Sequence, residues 1–188
     1  DEVLAHAGEL IFGNGDPNST SGYLVPGYYV FGQRNLDASK IFKRTLNSNH
    51  EANALAVANG MVDVATCNTE AMERLQITQP AKAAQLKVVW KSPLIPSDPL
   101  VWRKTLPEDL KADVRNFLFG YGRGAEQKQI LADLQWSGFK PSNNDQLLPI
   151  RQLATYQQRT KVVADTSLSE ADAQRKLAEL DAQLKDLQ

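Results

Sequence analysis

The sequence predicts an α/β fold with a mainly parallel sheet, followed by a helical C-terminal segment. Three observations carry that reading. Short apolar or β-branched runs at 9–12 (ELIF), 62–66 (VDVAT) and 86–90 (LKVVW), with an extended stretch at 42–48 (FKRTLNS), alternate with helical patterns. Alternation of that kind indicates an α/β layer whose strands run parallel. A loop rich in Gly, Asn and Asp (GNGDPNSTSG) follows the first run and enters a helix. Strand, Gly-rich loop and helix is the order seen where anions bind at the carboxyl ends of strands. Near residue 100 the chain changes character, from alternating α/β to mostly helical.

Taken in order, residues 3–8 read as the end of a helix and Glu9–Phe12 as a short buried strand. The next helix is expected over Thr20–Arg34, although Pro26 inside it removes one backbone hydrogen bond and predicts a kink. Asp37 or Ser39 caps a short helix before the extended stretch. HEANALAVANG is alanine-rich with apolar positions three and four apart, and Gly60 suits a C′ stop. Val62–Thr66 reads as a buried strand, Thr69–Leu75 as a helix and Leu86–Trp90 as another strand. KSPLIPSDP at 91–99 carries three prolines and reads as a crossing loop, with a further strand at Leu100–Arg103. Pro107 followed by two acids opens a helix to Tyr121, and 125–135 and 150–163 are helical patterns. In the tail, Leu177, Leu180, Leu184 and Leu187 form a narrow stripe on a charged helix that starts at Ser169. That stripe can pack on its own domain or pair with a second chain, and its narrowness slightly favours pairing.

Composition excludes several classes. The formal charge is −1, from 21 basic and 22 acidic residues, and the basic residues are scattered. A nucleic-acid groove needs a concentrated positive surface, so no nucleic-acid partner is expected. No apolar run is long enough to span a bilayer, and the opening DEVLAHAGEL has no signal-peptide pattern, which does not fix the compartment because a processed extracytoplasmic protein looks the same. Cys67 is the only cysteine, and His6 and His50 are the only histidines. Neither an internal disulfide nor a Cys- or His-based metal site can be assembled from them, and no cofactor is called for.

Polar residues stand at strand ends or helix starts: Ser19, Thr20 and Ser21 after the first strand, His50, Glu70, and Asp98 in the crossing loop. Each has an ordinary reading: an N-cap, a helix-end histidine, a first-turn acid and a turn former. Together they put a donor-rich anion grip beside two carboxylates. A small zwitterion with a tetrahedral acidic end and an ammonium end suits that set.

GNGDPNSTSGYLVPGYYVF, HEANALAVANG with VDVATCNTE, VVWKSPLIPSDPLVWRK and PIRQLA closely resemble the substrate-binding component of phosphonate ABC importers, from about Leu10 to residue 156. The resemblance implies a type II periplasmic-binding-protein fold that closes on phosphonates such as 2-aminoethylphosphonate and delivers them to a membrane permease. It assigns Ser19, Thr20, Ser21 and His50 to the phosphonate, and Glu70 and Asp98 to the ligand amine. It divides the chain into a ligand-binding lobe at 9–99, a return strand and helices at 100–163, and a helical tail at 164–188. The family also carries a leading first lobe, which this sequence lacks, so weak binding by the chain alone is expected. No catalytic residue is implied: GNGDPNSTSG lacks the lysine of a phosphate-binding P-loop, and no GxSxG elbow is present. The competing readings are a binder of phosphate or phosphite and, ranked lower, an enzyme acting on phosphoryl groups.

Overall fold

The strands form a parallel sheet, as the alternation predicts, in a computed structural model that describes residues 1–187. By compactness the chain divides into two units, Asp1–Ile95 with Leu147 onward, and Pro96–Gln146. These boundaries differ from the segments 9–99, 100–163 and 164–188, because the chain beyond Gln146 packs in the first unit.

The first unit opens with helix α1 (Glu2–Ala5) and a 3-10 turn (Ala7–Glu9), then enters strand β1 (Ile11–Gly15). Helix α2 (Ala38–Ile41) is capped by Asp37, which accepts from the Ser39 N–H, and leads to β2 (Arg44–Ser48). Helix α3 (His50–Ala58) ends before Gly60, whose φ of 69° is the left-handed stop expected there. Strand β3 (Val64–Ala65) and helices α4 (Thr69–Thr78) and α5 (Pro80–Ala83) follow. The sheet order is β2-β1-β3, with Ile11 opposite Arg44 and Phe12 opposite Val64. The central strand therefore carries the core. Phe12 stacks on Phe42 at 4.6 Å and meets Phe31 edge-on at 5.7 Å, with Ala7 completing the cluster. Burial of each ring contributes about 1.5–3 kcal/mol.

Three expectations need correction. The first strand runs to Gly15, so Gly13 and Gly15 lie inside it and not in a loop. The expected helix over Thr20–Arg34 is wound as two π-helical turns, Thr20–Leu24 and Gly27–Phe31, and a 3-10 turn, Gly32–Arg34. Pro26, between the π turns, has no N–H to donate, and the backbone widens around it: Leu24 N–H reaches Ser19 O at 3.0 Å, five residues back. Neither Leu86–Trp90 nor Leu100–Arg103 is a strand. A strand exists only through a hydrogen-bonded neighbour, and β1 already has one on each edge. Val88 and Val89 are instead 55% and 60% exposed.

The second unit contains α6 (Glu108–Gly120) and α7 (Ala125–Asp133). Tyr121, Phe117, Trp136 and Phe139 form its aromatic contacts, and the Arg115 guanidinium lies 5.4 Å over the Trp102 ring.

Back in the first unit, α8 (Leu148–Ala164) meets the π-helical segment, with Tyr156 edge-on to Tyr28 at 4.9 Å. Helix α9 (Glu170–Asp186), capped by Ser169, packs along α8. Its stripe is covered within the chain: Leu180 is buried, Leu177, Leu184 and Leu187 are half-buried, and Arg159 pairs with Asp181 at 2.7 Å. Nothing in this packing calls for a second chain. A chain ending at Val163 should therefore melt at lower temperature and self-associate through the uncovered face of α8 around Ala154 and Thr155. Scanning calorimetry and sedimentation check this, and an unchanged melting temperature would contradict the packing. Leu180→Ala should cost about 2–3 kcal/mol.

Candidate functional site

The three strands run parallel, so their carboxyl ends share one edge of the sheet, and each leads there into a capped helix. After β1, Ser19 accepts from the Gly22 N–H at 3.0 Å and starts the π-helical segment. After β2, Asn49 accepts from the Ala52 N–H at 2.8 Å and starts α3. After β3, Asn68 accepts from the Ala71 N–H at 3.0 Å and starts α4. A helix N-terminus carries about half an elementary positive charge and first-turn N–H groups without intrahelical acceptors. Gathering three of them makes this edge attractive to an anion.

Glycine sets the spacing. A Cβ on Gly15 would come within 2.3 Å of the Gly22 carbonyl carbon, and one on Gly22 within 2.9 Å of the His50 ring. The end of β1, the Ser19 turn and the imidazole can approach only because both side chains are absent. That approach puts Ser21 Oγ 3.1 Å from His50 Nε2. His50 is half-buried, and desolvation lowers its pKa from the usual value while the Glu70 carboxylate pulls it back up. The Cys67 thiol donates to the His50 carbonyl at 3.4 Å, and burial pushes its pKa up to about 11, so it is an inert thiol at neutral pH.

Sequence reasoning missed Asn53. It is 2% exposed, and its Nδ2 donates to the carbonyls of Gly13 (3.2 Å), Asn14 (2.9 Å) and Thr66 (3.2 Å). One amide thus ties α3 to the ends of β1 and β3, one turn from His50. The available signal was a polar residue on the buried face of an otherwise apolar, alanine-rich helix. Asn49 and Asn68 were missed too, although each stands directly before a helical pattern, where Asn is a preferred cap.

Of the residues expected at the site, Ser19, Thr20, Ser21 and His50 come together at this edge, all half-buried. Glu70, the second residue of α4, is exposed and near enough for its charge to act on His50 and Cys67. Asp98 belongs to the second unit, exposed and outside any regular element.

The Ser21–His50 contact supplies the base that Ser21 lacks nearby in sequence, and a Ser–His pair is the start of a nucleophilic site. Such a pair needs a third group to orient the base. His50 Nδ1 is buried and has no hydrogen-bond partner among the described residues. The described residues also contain no group of three or more carboxylate, His or Cys side chains able to hold a metal ion. The arrangement can bind an anion.

Asn53→Asp should cost more than about 3 kcal/mol at pH 7, because a buried carboxylate would face carbonyls without a donor. Burial raises the folded-state pKa of such a carboxyl above its unfolded value. Its acid form is therefore the one compatible with the fold, and stability should be recovered as pH falls and lost as it rises. Urea unfolding of both proteins across pH checks the sign. A loss independent of pH would mean that the amide's hydrogen bonds are not the cause.

Residues 4–147 match the family described as "ABC transporter, phosphonate, periplasmic substrate-binding protein". The chain is 53% identical over 186 residues to the phosphonates-binding periplasmic protein of Escherichia coli K12, covering 99% of this chain and 55% of that protein. It is also similar to the crystal structure of a binding protein component of an ABC phosphonate transporter from Pseudomonas aeruginosa. There the TM-score is 0.89 and the identity 63%, covering 99% of this chain and 62% of that one. The chain thus spans less than two thirds of the length of these relatives, both of which are described as binding proteins. The α/β fold, the parallel edge with its capped helices and the match over residues 4–147 agree: this chain belongs to the family of periplasmic substrate-binding proteins of phosphonate ABC transporters.

Proposed function

We propose that the chain supplies the anion-binding lobe of a periplasmic receptor that captures phosphonates, with 2-aminoethylphosphonate as the type ligand, and hands them to the permease of an ABC importer. The observation that carries this is the meeting of Ser21 and His50, at 3.1 Å, where three capped helices begin. A phosphonate head offers acceptor oxygens to Ser19, Thr20, Ser21 and the first-turn N–H groups, and its carbon–phosphorus bond needs no chemistry from the binder. Glu70 is the carboxylate for the ligand ammonium at this edge, and the same role for Asp98 rests on the sequence resemblance alone. Phosphate and phosphite are the second reading. They are disfavoured because a carboxylate beside a ligand without an amine is repulsive.

Replacing Glu70 or Asp98 by Ala should weaken 2-aminoethylphosphonate about tenfold or more and leave methylphosphonate unchanged or tighter. A charge-assisted bond to the ammonium is worth about 1.5–3 kcal/mol. Titration calorimetry with both ligands, on a protein completed by the part of the relatives that this chain does not span, reads the difference, and equal losses for the two would overturn the assignment of the amine end.

The proposal places the ligand's second wall in the part of the relatives that this chain does not span. Enclosure lowers the local dielectric and excludes competing water, which strengthens each bond to the charged head. The 188-residue chain should then bind at about millimolar affinity or undetectably. A fusion carrying the part of the Escherichia coli relative that this chain does not span should bind at about micromolar affinity or better, about −8 kcal/mol. Tight binding by the chain as a monomer would contradict this placement.

A further inference from the structure

The Ser21–His50 contact has a direction. A neutral imidazole carries one proton, on Nδ1 or on Nε2, and the other nitrogen then presents a lone pair. His50 Nε2 lies 3.1 Å from Ser21 Oγ, while Nδ1 is buried without a partner among the described residues. If Nδ1 held the proton, a buried N–H would lack any acceptor, the rarest kind of unmet group in folded proteins. It would also put that proton on the first residue of α3, where the helix dipole is positive. With the proton on Nε2, the bare lone pair of Nδ1 sits at that positive end and the N–H has an acceptor in Ser21.

We propose that His50 is a positioning residue held as the Nε2–H tautomer: it donates to Ser21 Oγ and thereby turns the Ser21 hydroxyl proton outward, toward an anion at the strand edge. One lone pair of the Ser21 oxygen is then occupied by His50, and the hydroxyl proton is the group it presents to a deprotonated ligand oxygen. The ring is held for this task by Gly22, whose missing Cβ leaves room at His50 Cε1. Two ionisable groups face it from the neighbouring elements. Glu70 on α4 favours the imidazolium, and the Cys67 thiol, held neutral, donates to the His50 carbonyl and not to the ring. Desolvation outweighs Glu70 and keeps the ring neutral at pH 7.

The importance of this tautomer rests on the anion-binding reading, but its test does not. In the 188-residue chain labelled with 15N-histidine, His6 and His50 are the only imidazoles, and His50→Gln assigns them. At pH 7 the His50 Nε2 should resonate in the protonated, pyrrole-like range and Nδ1 in the unprotonated, pyridine-like range. Ser21→Ala should move both resonances toward the averaged values of free imidazole. Glu70→Gln should shift the His50 titration to lower pH, since it removes the one charge that favours the imidazolium. A protonated Nδ1, an averaged spectrum in the unmodified chain, or a tautomer unaffected by Ser21→Ala would each overturn the proposal. Failure of the fusion with the Escherichia coli segment to bind methylphosphonate would overturn the ligand reading and leave these resonances where they are.

Discussion

The carboxamide of Asn53 holds the binding edge in register. Parallel strands end with carbonyls that the ladder leaves partly unsatisfied, and a buried carbonyl without a donor costs about 1–3 kcal/mol. From inside α3, Asn53 offers its two N–H groups to the carbonyls of Gly13, Asn14 and Thr66, of which Gly13 also accepts from the Thr66 N–H. The same bonds that satisfy the backbone also set the distance between β1, β3 and the helix that carries His50. Gly13 is part of this arrangement: a Cβ there would lie 3.0 Å from the Asn53 Oδ1 and 2.9 Å from the Ala65 Cβ. Stability of the sheet and geometry of the site are therefore one problem with one solution.

From that anchor the electrostatics follow. Parallel pairing brings three strand ends to one side, and each chain segment leaves its strand through a cap of Ser or Asn. Capping uses one first-turn N–H in each helix, and the remaining ones give the edge its positive potential. Neutral donors make up the grip, with no Lys or Arg among the residues brought together there. A grip of oriented dipoles and hydroxyls can hold an anion that must later be released, as the proposed receptor function requires. Glu70 adds one negative charge at the rim. That charge would be a defect for a bare anion and would be an asset for the proposed ligand with an ammonium group.

Much of this was legible in local sequence. The helix HEANALAVA, the caps at Asp37 and Ser169, the stop at Gly60 and the helices after Pro107 all stand where their residue patterns put them. Failures occurred where pairing or close approach decides. LKVVW and LVWR have strand composition, but composition specifies only what a residue tolerates, and the hydrogen-bonded neighbour comes from elsewhere in the chain. GNG at 13–15 reads as a loop because glycine is common in loops, yet here it continues a central strand against which a helix and a turn are pressed.

The sequence by itself determined the α/β class, the positions of most helices and the polar set Ser19, Thr20, Ser21, His50 and Glu70, because capping, periodicity and turn chemistry act within a few residues. Tertiary structure alone decided which of them meet. The 3.1 Å contact between Ser21 and His50 spans 29 positions of chain, and the Asn53 bond to Gly13 spans 40. It also decided that the leucine stripe of α9 is covered by α8. Contacts across such separations depend on how whole elements pack, and no local pattern encodes the partner.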